Sequence, residues 1–152
     1  MLNLTLIAVG SLKDPALKTL ADDYQKRLRP YARLKLIELP AWPFSEKEGS
    51  RKKSQEKLKA SLESVLSSYS KENVYLLSEH GRLYNTLEFT QLSSEPLVLV
   101  IAGALGWPEG FSQGYRQLSL SPLTMPHELA RVVLLEQLYR AATIKNNKTY
   151  HY

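Results

Sequence analysis

The stretch Leu97-Val98-Leu99-Val100-Ile101-Ala102 is apolar at every position, and this run constrains the chain more than any other feature. A strand that faces water on one side alternates apolar and polar residues. One with no polar position is covered on both faces, as in a mainly parallel sheet flanked by helices. Six residues are far too few to cross a bilayer, which takes about 20 in a helix. The rest of the sequence alternates strand and helix patterns, as an α/β fold requires. Leu2–Val9 and Leu34–Leu39 read as strands. Between them Asp14-Pro15 opens a helix whose Leu17, Leu20, Tyr24 and Leu28 share a face, ending before Pro30. Pro40-Ala41-Trp42-Pro43 breaks the pattern, and Glu46 to about Tyr69 reads as a long charged helix with Leu58, Leu62, Val65, Leu66 and Tyr69 inward. Asn73–Ser78 is the third strand and Glu79-His80-Gly81-Arg82 a polar loop. Asn85 with Glu88 forms a capping box for a short helix carrying Leu87 and Leu92. After the glycine loop at 103–110 the pattern predicts a helix to about Gln117, a short strand at Leu118–Leu120, and a final helix with Pro126 in its first turn and Leu129, Val132, Val133 and Ala141 available for packing. Lys145–Tyr152 reads as a polar tail.

At 152 residues the expectation is a single domain spanning 1–152. No cysteine is present, which excludes disulfide scaffolds, thiolate metal sites and cysteine nucleophiles. The opening residues lack a basic segment and alternate like a strand, so no signal peptide is expected, and a cytoplasmic location follows by default. The net charge of +5 is unevenly spread: residues 1–60 hold 13 Lys and Arg against 7 Asp and Glu, whereas 61–152 hold 7 against 8. Lys26, Arg27, Arg29, Arg33 and Lys35, then Arg51, Lys52, Lys53, Lys57 and Lys59, suit phosphate contacts, although a solvated helix face explains such runs as well.

Three places can carry chemistry. Ala102-Gly103-Ala104-Leu105-Gly106 follows the buried strand, where small residues let backbone approach a ligand at the strand's carboxyl end. It matches neither G-x-G-x-x-G nor a P-loop, so a dinucleotide or triphosphate cradle is not supported. Leu120-Ser121-Pro122-Leu123-Thr124-Met125 is a small, apolar, proline-punctuated segment whose main chain can bond an adenine edge; it can equally be a packed loop. On the last helix His127 and Arg131, and Glu136 and Arg140, stand four apart and can meet. Glu136 falls near the packing side and needs a partner. The terminal Tyr150-His151-Tyr152 can stack on and bond a flipped-out base. None of His80, His127 and His151 has metal-ligand spacing, so no metal is expected. No G-x-S-x-G elbow supports a hydrolase.

Taken together, these places resemble one family. Leu4-Thr5-Leu6-Ile7-Ala8-Val9-Gly10, Ile37-Glu38-Leu39-Pro40, Ile101–Gly106, Leu118–His127, Arg131–Ala141 and Tyr150-His151 are similar, in order and spacing, to the small SPOUT methyltransferases that methylate N3 of a pseudouridine in a stem-loop of 23S ribosomal RNA. The resemblance covers the whole chain. It implies a SPOUT fold with a C-terminal trefoil knot, a homodimer, S-adenosyl-L-methionine as cofactor, and 23S rRNA in ribosomal particles as partner. It implies a cofactor pocket of Leu77, Ala102, Gly103, Leu120, Ser121, Pro122, Leu123, Thr124 and Met125. Ala102 stands where family members usually have glycine, and Tyr152 stands where relatives can carry a basic residue. His127 and His151 are then alternative handlers of the N3 proton, with Tyr150 orienting the base and Arg131 or Arg140 stabilising charge on its carbonyls. A non-enzymatic RNA- or ribosome-binding module is the alternative that the basic first half alone would explain.

Overall fold

The computed structural model describes residues 1–94 and 96–152. Five strands form one parallel sheet in the order β2-β1-β4-β3-β5, from β1 (Leu2–Val9), β2 (Ala32–Leu39), β3 (Val74–Leu83), β4 (Leu97–Ile101) and β5 (Arg116–Ser119). The all-apolar run is the central strand, buried at all five positions. Leu97, Leu99 and Ile101 face one core, with Leu4, Leu6 and Leu77, against helices α1 (Pro15–Leu28), α3 (Thr86–Leu92) and α4 (His127–Lys145). Val98 and Val100 face the other, with Ile7, Val9 and Leu76, against Leu58, Leu62 and Leu66 of α2 (Ser50–Leu66). The continuous apolar pattern therefore serves two cores at once.

Local chemistry sets the element ends. Asp14 caps α1, its Oδ1 accepting from Ala16 N at 2.9 Å and Leu17 N at 3.3 Å. Asn85 and Glu88 form the expected capping box at 2.9 Å in both directions. At the end of α4, Asn147 adopts φ 53° while Lys148 N donates to Thr143 O at 2.9 Å and Asn147 N to Ile144 O at 3.2 Å. This Schellman turn folds the tail back along the helix.

Several boundaries differ from the sequence reading. The helix expected from Glu46 starts only at Ser50, because Gly49 sits at φ 77° and cannot continue it backwards. The expected polar loop 79–82 lies inside β3: pairing with β5 shifts register between Leu77 and Arg82, so Ser78–Gly81 bulge out of the ladder. The helix expected before Gln117 is only a 3-10 turn, Ser112–Gly114, and β5 begins at Arg116. Pro126 caps α4 from outside its first turn. Leu20 and Leu129, expected to pack inward, are exposed, as is Leu87; Ala21, Phe89 and Leu134 are buried on those helices instead.

Candidate active site

The carboxyl ends of β3, β4 and β5 open onto one cavity of about 690 Å3. Its walls come from Leu77–His80, Ile101–Ala104, Gly106 and Trp107, from the segment before α4, including Leu120, Ser121, Leu123, Thr124 and Met125, and from His127 at the helix start. Eight of the nine residues expected around a cofactor therefore converge; Pro122 does not line the cavity. Residues 120–126 lie outside every helix and strand, which leaves main-chain groups available at the rim. Gly103 is there for packing: a Cβ would come within 2.9 Å of Val9 Cγ1. Trp107 Nε1 donates to Leu77 O at 3.0 Å and ties the glycine loop to the end of the apolar part of β3.

Two polar side chains in this cavity escaped the sequence reading. Glu79 accepts from Thr124 Oγ1 and has His80 Nε2 3.4 Å away, which links the β3 bulge to the segment before α4. The available signal was Gly81, a glycine inside a strand pattern and a mark of a bulge or close approach. A Cβ on Gly81 would lie 2.7 Å from the backbone of Gln117 and Leu118. The two strands cross there with no room for a side chain.

The remaining candidates separate into two groups. His127 and Arg131 do not meet. Arg131 is only 3% exposed, and it donates to Glu38 Oε2 at 2.7 Å and Gly10 O at 2.9 Å, pinning α4 to the ends of β1 and β2. Arg140, Glu136, Tyr150 and His151 form a second cluster. Glu136 Oε1 accepts from Arg140 Nη2 at 2.5 Å and Tyr150 Oη at 3.0 Å, and Arg140 Nη1 lies 3.1 Å from His151 Nδ1. The Tyr150 ring packs edge-on to Tyr139 at 4.7 Å. Burial, then Tyr24 and Glu136, holds the Tyr150 hydroxyl well above its ordinary range. The hydrogen bond to the Glu136 carboxylate holds the Arg140 guanidinium above its ordinary pKa, against the opposing effect of burial. From His127 to Arg140 the helix rises about 20 Å, at about 1.5 Å per residue.

A parallel α/β sheet with a ligand-sized cavity at its strand ends is the arrangement in which such folds bind small molecules. The family model described as predicted SPOUT methyltransferase matches residues 2–151, and the chain belongs to this family. A Mycoplasmopsis synoviae protein named ribosomal RNA large subunit methyltransferase H is 38% identical over 99% of both chains. Proteins of the same name from Clostridium novyi and Clostridium acetobutylicum are 35% and 36% identical, again over 99% of both. A Bacillus anthracis crystal structure, provisionally described as an RNA methyltransferase, shares the fold with a TM-score of 0.55 at 11% identity, covering 99% of this chain and 100% of its own. No helix among the described residues is long and apolar enough to cross a membrane.

Proposed function

We propose that this chain, a single domain over 1–152 working as a cytoplasmic homodimer, transfers a methyl group from S-adenosyl-L-methionine to N3 of a pseudouridine in the 23S rRNA of the large ribosomal subunit. One observation carries the reading: the separate segments that resemble a cofactor pocket converge on one cavity. Full-length likeness to relatives named for methylating large-subunit ribosomal RNA supports the choice of substrate. The trefoil knot that the resemblance implies is part of the same proposal.

The cavity fits the cofactor. Its volume of about 690 Å3 falls within the usual 300–1,000 Å3 of small-molecule sites. Leu77, Ile101, Leu120 and Met125 give apolar walls for an adenine ring, and the Glu79 carboxylate suits the ligand's cationic groups. When bound, S-adenosylmethionine supplies a methyl group on a sulfonium, an electrophile that needs an in-line nucleophile more than activation. The protein's task is then to orient the acceptor base and take the N3 proton. His127 opens onto the cavity and can receive that proton on a ring nitrogen. His151, about 20 Å away along α4, can serve only a second protomer's cavity. Exposed Leu20, Leu123 and Leu129 are apolar surface suited to such a partner. Arg131 is buried against Glu38 and Gly10, so charge on the base carbonyls falls to Arg140, which is partly exposed and also reaches His151.

Complementation tests the shared site. His127→Ala and His151→Ala homodimers should each lose transfer, and co-expressed heterodimers, carrying one intact composite site, should regain it. Heterodimers that form but stay inactive would remove His151 from a partner's site. Calorimetry separates enzyme from binding module: no uptake of adenosylmethionine at saturating concentration would sink the methyltransferase reading.

A further inference from the structure

β1 and β4 are neighbours in the sheet, and the chain leaves their carboxyl ends in opposite directions. From β1 it passes through α1 to β2 at one edge; from β4 it passes Trp107 and Phe111 to β5 at the other. Phe111 packs into the core opposite α1. Such a reversal opens a crevice at the strand ends, the place where open α/β sheets bind ligands. A cavity of about 280 Å3 lies there, floored by Val9-Gly10 and Gly103-Ala104, with Trp42 and Phe44 in its wall. It is separate from the cofactor cavity yet shares Gly103, Ala104 and His127 with it.

Trp42 and Phe44 are 37% and 39% exposed on a segment that belongs to no helix or strand. Lys57 Nζ lies 5.0 Å from the Trp42 ring centre, and Arg51 Cζ 5.4 Å from that of Phe44. A second cavity, also about 280 Å3, is lined by Trp42 with Lys47, Lys53, Lys57 and Ser50. Trp42 thus divides an aromatic crevice from a cationic one. Four lysines and two glutamates line the pair, and one of those glutamates, Glu128, already accepts from the backbone of Lys13 and Asp14. The first turn of α2 holds Arg51, Lys52 and Lys53 and no acidic residue, the reverse of what the helix dipole favours. Arg51 pairs with Glu46 at 3.2 Å, whereas Lys52 and Lys53 form no ion pair among the described residues, and their placement suits an anionic partner.

We propose that the two cavities across Trp42 hold one unpaired nucleotide of the RNA substrate beside the target, its base stacked on Trp42 and Phe44 and its phosphate on Lys53 and Lys57. Aromatic faces next to lysines are how proteins grip single strands without reading sequence. The proposal rests on the RNA-methyltransferase reading and adds where the strand flanking the target is held. Because the crevice and the cofactor cavity share a wall, the gripped neighbour aims the target base at the methyl donor. Ser54 Oγ donates to Trp42 O at 2.9 Å, while Gln55 Nε2 donates to Leu105 O at 3.3 Å and Gly106 O at 3.4 Å. α2 therefore holds the aromatic segment and the glycine loop in one frame.

Two measurements on the full chain test this. The chain has two tryptophans, so Trp107→Phe leaves Trp42 as the sole reporter. Titration with an oligouridylate of about eight nucleotides should quench its fluorescence, and adding Lys53→Ala and Lys57→Ala should raise the RNA concentration required about tenfold. In methyl transfer to large-subunit particles, Trp42→Ala with Phe44→Ala should raise KM by about tenfold to a hundredfold, with cofactor affinity and thermal midpoint unchanged and Trp42→Tyr recovering most of the loss. An unquenched Trp42 overturns the proposal, as does a parental kcat/KM in the double variant. Raised KM on particles without quenching by the oligonucleotide would mean that the shelf meets ribosomal protein, which also overturns it. If the parent transfers no methyl group, the enzymatic reading fails, and the nucleotide shelf is then judged on the fluorescence titration alone.

Discussion

The two ends of α4 carry the same kinds of residue in opposite states. At its start, His127 borders a concave, largely apolar cavity whose rim keeps main-chain groups available. Towards its end the polar groups of the cluster hold one another: Glu136 Oε1 takes Arg140 and Tyr150, Glu136 Oε2 takes Gln137 at 2.6 Å, and Arg140 reaches His151 Nδ1. One end is shaped to be completed by a ligand. The other is already complete and presents side chains whose direction is fixed in advance, which is what positioning a reacting base requires. The rise between them, about 20 Å, is why the proposed composite site takes the second from another copy.

The sharpest way to break this contrast is to remove the tail's side chains. Tyr150→Ala with His151→Ala should lower single-turnover methylation about 10²- to 10⁴-fold while leaving adenosylmethionine affinity unchanged. Undiminished transfer would erase the functional half of the contrast. Next comes Arg131, the structural counterpart of Arg140. Arg131→Ala removes the donor to Gly10 O and leaves the half-exposed Glu38 without its partner, and it should cost about 1–3 kcal/mol in urea unfolding. A loss no larger than that of Arg140→Ala would contradict the assignment of one arginine to scaffold and the other to the site. Gly81→Ala should cost about 1–3 kcal/mol, because its Cβ meets backbone that cannot rotate away; thermal unfolding at the parental midpoint would refute the close crossing.

The smallest effect is pH-dependent and belongs to the first end alone. The backbone N–H groups of Asp14 and Lys13 hold the Glu128 carboxyl below its ordinary pKa of 4.5. Its ionised form is therefore favoured by folding, so its contribution is present above about pH 4.5 and disappears as pH falls through the lower folded value. Glu128→Gln should lower the thermal midpoint slightly at neutral pH, and calorimetry across acidic pH should show the difference closing. A difference that stays constant into acid would exclude the carboxylate's charge as its cause.

Much of the fold was legible because it depends on local signals. Leu97–Ile101 announced a strand covered on both faces, Asp14-Pro15 and Asn85 announced helix starts, and the glycine loop announced a strand end where ligands approach. The misreadings share a cause. Leu20 and Leu129 fit an inward stripe by spacing, yet helix packing against the sheet uses Ala21 and Leu134. Glu79 and His80 looked like loop residues because a register shift between two strands distant in sequence is invisible in either strand alone.

The sequence by itself determined the layers, the polarity of each face and the small-residue loops at the strand ends, since periodicity and residue size act within a few positions of the chain. Only the tertiary structure decided that Arg131 is buried scaffold, that Glu79 reaches Thr124, and that Tyr150 and His151 stand at the far end of α4 from the cavity. Those outcomes depend on strand order and on which backbones cross. Both are set by long-range packing, which no local pattern encodes.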